Sequence, residues 1–223
     1  MVDSLRLGVY GVHNEPAIVS LDRSVHGIIC GPTGSGKSFL LNSIAEQAKT
    51  GGADVIVCDP KGGHDFEDPT ASGPIEVTAA LEEVAAAVVR RNSGTWYHRM
   101  IVIADELTAL GLRQSGEPKT AARDRLDRTQ AALGTSVLLG RSSGVHLILG
   151  TQRGDLNGGV LTGAIRDQLG WRVGLGYLSG DGYRMLGWPS DLEPPRRARG
   201  NGWASGLSGV EAARPVSLRV TRT

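Results

Sequence analysis

Residues 31–38 read GPTGSGKS, a full match to the pattern G-x-x-x-x-G-K-[ST]. Each residue type has a chemical reason to be there. Gly34 and Gly36 let backbone N–H groups turn toward a phosphate with no side chain in the way. Lys37 is placed to reach the β- and γ-phosphates of a nucleotide, and the Ser38 hydroxyl to ligate Mg²⁺. Gly31, Pro32, Thr33, Gly34, Ser35, Gly36, Lys37, Ser38 and Phe39 are therefore the expected nucleotide contacts. A second stretch, MIVIADE (residues 100–106), is an apolar run that ends in two acids. The tip of a buried strand is where a carboxylate holds Mg²⁺ through water, and Asp105 takes that role. Glu106, one residue on, can polarise an attacking water as general base. Its plainer reading is a solvated strand end. The pair favours hydrolysis of ATP over phosphoryl transfer to a small acceptor, which would need an acceptor site and an arginine-bearing lid.

These groups act together only if strands and helices carry them to one place. HGIIC (26–30) is a short apolar run before the glycine-rich loop, and residues 38–49 carry Leu40, Leu41, Ile44 and Ala48 at helical spacing. Gly51-Gly52 ends that helix. ADVIVCD (53–59) reads as a buried strand, and Thr78 as the opening of a helix that runs to Arg91. A long helix follows over about 119–140, then strands at 145–150 and 171–177. LSGDGY (178–183) reads as a glycine turn. Strands alternating with helices mean a mostly parallel sheet covered on both faces. A glycine-broken hairpin is expected over residues 1–25 and another over 200–223, and no linker divides residues 1–223, so one domain is expected.

Composition sets limits on partners. The 223 residues have a formal net charge of +1, so any contact with nucleic acid must come from local arginines. Aromatics make up 4%, too few for base-stacking platforms. There is no apolar stretch of membrane-spanning length and no signal-peptide pattern. Cys30 and Cys58 each lie at or near the end of an apolar run and read as buried thiols of a reducing cytoplasm.

Several separate stretches resemble the motor domain of the FtsK/SpoIIIE DNA translocases, within the FtsK–HerA ATPases. They are residues 5–38, VIVCDPKGG (55–63), MIVIADEL (100–107) and GRSSGVHLILGTQR (140–153). Arg172 and SGDGYRMLG (179–187) resemble the strand and short helix that follow the motor core. The resemblance implies a RecA-like core, a ring that is typically a hexamer, and ATP-driven movement along double-stranded DNA through a central channel. On this chain it makes Gln152 the polar sensor of the γ-phosphate and Arg141 an arginine finger for the neighbouring subunit's nucleotide. Cationic stabilisation of a transferring phosphoryl group fits both roles. The alternatives are a strand-end cap for Gln152 and a solvated helix-end arginine for Arg141. Arg153 and Arg166 correspond to the channel loops, where a ring would multiply each into a basic throat. EPPRRARGNG (193–202), with Arg196, Arg197 and Arg199, reads as a solvated loop or a subunit-interface patch, with phosphate contact as the other reading.

The chain departs from the family in having Gly154-Asp155 after Thr151-Gln152-Arg153, where proline is usual, and a short stretch between Gly63 and Met100. With no membrane-spanning start and no C-terminal winged helix, the expectation is a minimal, soluble version of the motor. It would not insert in a membrane, and a membrane or recruiting protein would be its partner. A secretion or coupling ATPase acting on proteins and a viral genome-packaging ATPase share the same core. A non-motor switch subunit is disfavoured by the intact Asp105-Glu106 pair.

Overall fold

The fold is described from a computed structural model, over residues 2–63, 65–94, 98–152, 159–193, 195, 198–210 and 214–221. A hairpin of β1 (Ser4–Tyr10) and β2 (Glu15–Ser20) leads into β3 (His26–Cys30) and α1 (Lys37–Thr50). Then come β4 (Asp54–Asp59), β5 (Ala71–Ser72), α2 (Gly73–Asn92) and β6 (Met100–Ala104). A 3-10 turn at Leu107–Gly111 precedes α3 (Lys119–Ser143) and β7 (Val145–Thr151). α4 (Gly163–Asp167), β8 (Leu169–Leu175), α5 (Gly180–Met185), β9 (Asn201–Ser205) and β10 (Val216–Arg219) complete the order.

These strands form a ten-stranded sheet in the order β2-β1-β10-β9-β8-β3-β7-β6-β4-β5. From β8 to β5 all pairings are parallel. β9, β10, β1 and β2 continue the sheet antiparallel. Both expected hairpins are present, and the pairing of β1 with β10 joins them into one edge. Alternation along the central strands separates two apolar layers. Ile28, Val102, Leu147 and Leu149 face α2 and α3, where Val77, Leu81, Val84, Leu133 and Val137 pack. Ile29, Ile101, Ile103 and Ile148 face α1 with its Leu40, Leu41 and Ile44, and Leu5, Leu7 and Val19 of the hairpin close that side. Burial on both faces explains why β3 and β7 read as continuous apolar runs. Trp171 of β8 is fully buried against Gly27, where any Cβ would fall 1.9 Å from the indole.

Three local expectations are corrected. α2 begins at Gly73, with Pro74 in its first turn, and Thr78 lies inside it. The Thr78 hydroxyl donates to the Pro74 carbonyl one turn back, an internal use of a residue type that also caps helices. α3 continues through Arg141 to Ser143 and stops at Gly144, whose φ of 65° ends the helix in the left-handed region. Residues 180–185 form the short helix α5 that the resemblance implies, which corrects the glycine-turn reading of 178–183, with the Ser179 hydroxyl accepting from the Gly182 N–H.

Candidate active site

The loop between β3 and α1 sits at the carboxyl edge of the parallel strands, the usual ligand side of such sheets. Gly31 N–H donates to the Thr151 carbonyl at 3.0 Å, which ties the loop to the tip of β7. Gly34 and Gly36 adopt φ of 81° and 101°. Gly36 is the N-cap of α1 and no side chain caps that helix. Its first N–H groups therefore lack a helical partner and point at the space where an anion binds. The Ser35 hydroxyl is buried and has no partner among the described residues.

β6 delivers Asp105 to the same place. Lys37 Nζ donates to Asp105 Oδ1, and both side chains are almost completely buried. The same oxygen accepts the Glu106 N–H at 2.7 Å. Glu106 lies just beyond the strand and has φ 48° and ψ 50°, a left-handed conformation unfavourable for a residue with a Cβ. Its Oε1 accepts from the Thr108 hydroxyl, while Oε2 is buried without a partner among the described residues. A carboxylate oxygen in that state is poised to accept from a water or a ligand hydroxyl. Asp59, at the end of β4 next to β6, has the same character. Its Oδ1 accepts from the N–H groups of Lys61 and Gly62, and Oδ2 is buried and unpartnered among the described residues. Gln152 follows β7, which lies between β3 and β6, so it stands half-buried between the loop and the acids.

A cavity of about 300 Å³ adjoins the start of α1, lined by Gly36, Phe39, Arg199, Gly200 and Val220. Gly200 N–H donates to the Ser35 carbonyl at 2.8 Å, so the loop before β9 lies directly on the glycine-rich loop. A larger cavity, about 540 Å³, lies along α1 and is rimmed by Glu46, Asp65, Glu67 and Asp68. Of the two, the smaller cavity is the one that includes Gly36 of the phosphate loop.

Comparisons with known proteins agree with this geometry. Residues 15–95 match the family model described as Helicase HerA, central domain. The FtsK domain-containing protein YdcQ of Bacillus subtilis is 30% identical over 185 residues, 74% of this chain and 37% of YdcQ. DNA translocase FtsK of Halalkalibacterium halodurans is 28% identical over 207 residues, 75% of this chain and 25% of that protein. The chain carries a HerA/FtsK-type ATPase domain. Among solved structures, the pCW3 conjugation coupling protein TcpA, in its monomer form with ATPgS, superposes with a TM-score of 0.80. It is 22% identical and is matched over 100% of this chain and 66% of its own. The cytoplasmic domain of the Type VII secretion ATPase EccC of Thermomonospora curvata gives 0.71 at 22% identity, over 99% of this chain and 28% of its own. The chain thus spans between a quarter and two fifths of the two curated relatives.

The HerA/FtsK-type domain does not bring all the expected residues together. Arg141 is exposed in the last turn of α3, beside the start of β7. Seven strand residues separate that edge from the phosphate loop, roughly 20 Å at the usual rise. Arg141 therefore cannot reach the phosphate loop of its own chain. Arg166 lies in α4, which precedes β8 and so sits at that same far edge, with Asp167 3.9 Å away. Arg153, Arg196 and Arg197 lie outside the described residues. Arg172 is structural: its guanidinium donates to the carbonyls of Leu169 and Leu186.

Sequence reasoning missed Gly150, whose lack of a side chain makes room for Asp105. A Cβ on Gly150 would stand 2.3 Å from Asp105 Oδ1 and 3.1 Å from its Cα. The only signal was a glycine within an otherwise apolar strand, which marks close approach by a neighbour. Gly150→Ala should displace Asp105 from Lys37, costing about 1–3 kcal/mol of stability. ATP turnover, measured beside thermal melting, should fall much further than the folded fraction.

Proposed function

We propose that this chain is the ATP-hydrolysing unit of a ring motor that moves double-stranded DNA. The observation that carries the reading is the meeting of Lys37, Asp105 and Glu106 beside an uncapped helix start, with Gln152 following the neighbouring strand and buried carboxylate oxygens that have no partner among the described residues. In this reading the α1 N–H groups and Lys37 bind the phosphate chain, which draws Lys37 away from Asp105. The freed Asp105 carboxylate and the Ser38 hydroxyl are hard oxygen donors on adjacent elements, the donor set that suits Mg²⁺. That ion would supply positive charge to the phosphate oxygens. Glu106 Oε2 takes the proton of the attacking water, and Gln152 hydrogen-bonds the γ-phosphate or that water.

In a ring, Arg141 would act at a neighbour's site: it is exposed and remote from its own, and there it would complete the charge stabilisation. A hexamer is what the resemblance suggests. Arg166, and Arg153 if it lines the channel, would contact DNA phosphates without reading sequence. The DNA reading also draws on the relatives called DNA translocases. The competing reading, a secretion ATPase that acts on protein, draws on the EccC likeness.

One measurement separates them. Duplex DNA should raise ATP turnover several-fold, and added salt should abolish the stimulation as phosphate contacts are screened. Native mass should show a closed oligomer under the same conditions. Basal turnover with no response to DNA would overturn the DNA reading and leave the protein-substrate one.

A further inference from the structure

Glu106 is held in a conformation that it would not choose. A non-glycine residue in the left-handed region is uncommon, and it persists only where its surroundings enforce it. Upstream, the strand end and the Asp105 carboxylate fix its N–H. Downstream, the 3-10 turn starts on it, with the Ala109 N–H donating to the Glu106 carbonyl at 2.9 Å. That turn needs an anchor of its own, because the polar loop 112–118 follows immediately.

The anchor is a single buried guanidinium on α3. Arg125 is 5% exposed. Its Nη1 donates to the Leu110 carbonyl and its Nη2 to the Leu112 carbonyl at 2.8 Å, the last backbone acceptors of the turn. Its Nε and Nη2 also donate to the two carboxylate oxygens of Glu117, both at 3.0 Å. Glu117 in turn accepts the Gln114 N–H at 2.8 Å. Arg125 holds the Glu117 carboxyl well below its usual range, down to about 2. All this needs the planar fork of arginine. A lysine ammonium cannot reach two carbonyls and a bidentate carboxylate from one position. Burying an ion pair is a poor way to gain stability, and an apolar pair of the same size would serve a merely structural role as well.

We propose that Arg125, oriented by Glu117, is a positioning residue for Glu106: it clamps the 107–112 turn to α3 and so keeps the Glu106 carboxylate aimed into the nucleotide site. The proposal rests on Glu106 being the base. It also links the base to α3, the helix whose far end carries Arg141.

The test compares Arg125→Lys, Glu117→Gln and Glu106→Gln, alone and combined, by nucleotide affinity, single-turnover ATP hydrolysis and melting temperature. Arg125→Lys should slow hydrolysis about 10-fold or more, the scale of a misplaced catalytic group, with nucleotide affinity unchanged. Glu117→Gln keeps the shape of the clamp and should give a smaller loss of the same kind. It decides the matter if Arg125→Lys does not fold. In the Glu106→Gln background neither change should slow hydrolysis further, because the group being positioned is already gone. Wild-type hydrolysis in both clamp variants, losses that merely follow the folded fraction, or full additivity with Glu106→Gln would overturn the proposal. A fast Glu106→Gln enzyme would instead overturn the base assignment, a separate result.

Discussion

Glu106→Gln should bind nucleotide as tightly as the unaltered chain and hydrolyse it at least about 100-fold more slowly, the low end of what general-base catalysis contributes. The amide has nearly the same shape as the carboxylate and still offers Oε1 to the Thr108 hydroxyl, so the turn and the strand tip stay in place. Lys37, Asp105 and the uncapped start of α1 are untouched, and in the proposed function these carry the affinity. What is lost is the oxygen that has no partner among the described residues. An amide nitrogen or oxygen there cannot take a proton from water at neutral pH. Equilibrium binding of a nucleotide beside a single-turnover assay separates the two effects. Turnover within a few-fold of the original would reduce Glu106 to a strand-end group. Asp59 Oδ2, a buried carboxylate oxygen at this edge that also has no partner among the described residues, would then be the next base to test.

The second large effect is on folding and lies at the opposite edge of the sheet. His26 opens β3 and His146 lies near the start of β7, both buried. The His26 Nδ1 accepts the Leu147 N–H at 3.0 Å. An imidazolium has no acceptor nitrogen, so protonation would break that bond. His146 is fixed from both sides. Arg99, a donor only, sits 3.0 Å from its Nε2, and the Val25 carbonyl 3.0 Å from its Nδ1. Its Nε2 must accept and its Nδ1–H must donate, which is the neutral ring. Asp22 and Asp3 balance the Arg99 charge at 2.6 and 3.2 Å. Burial, first of the causes, pushes both histidines down to about 4.

The sign follows from linkage. The folded values lie below the unfolded value near 6.5, so the unfolded chain binds the extra protons as pH falls. The stability is fully present above pH 6.5 and is lost as pH drops toward 4. Between pH 7.5 and pH 5 the loss is roughly 2 kcal/mol per ring, about 4 kcal/mol for the pair, a large share of a typical domain's stability. Denaturant midpoints at the two pH values measure it. His26→Asn leaves an acceptor for the Leu147 N–H but cannot titrate, so it should remove about half of the pH dependence. A flat profile in the original chain would show that the two rings titrate as exposed histidines do.

Some of this protein was determined by the sequence alone, and for a local reason. The phosphate loop needs glycines at positive φ and a lysine and serine at the start of a helix, all within eight neighbouring residues, 31–38. The alternation of strands and helices rests on periodicity within single segments, and even the two hairpins are short-range pairings. Local signals fail where one residue type has two uses. Thr78 looks like a helix cap but bonds inside α2, and Arg141 looks like the end of a helix that in fact runs on to Ser143.

What the tertiary structure decided is what the strand order brings together. β7 falls between β3 and β6, and this alone puts Gly150 against Asp105 and brings Gln152, just past the end of β7, to the edge where the phosphate loop and the acids lie. The antiparallel pairing of β9 on β8 lays Gly200 on Ser35, a contact that no spacing announces. Arg125 reads as one more helix arginine until the fold closes the 107–117 segment over it. Arg141 is sent to the far edge because α3 must return to the start of a parallel strand. Sequence patterns report the backbone's local preferences. Which buried groups meet depends on long-range packing, and there the strained Glu106, its clamp and the pair of neutral histidines are settled.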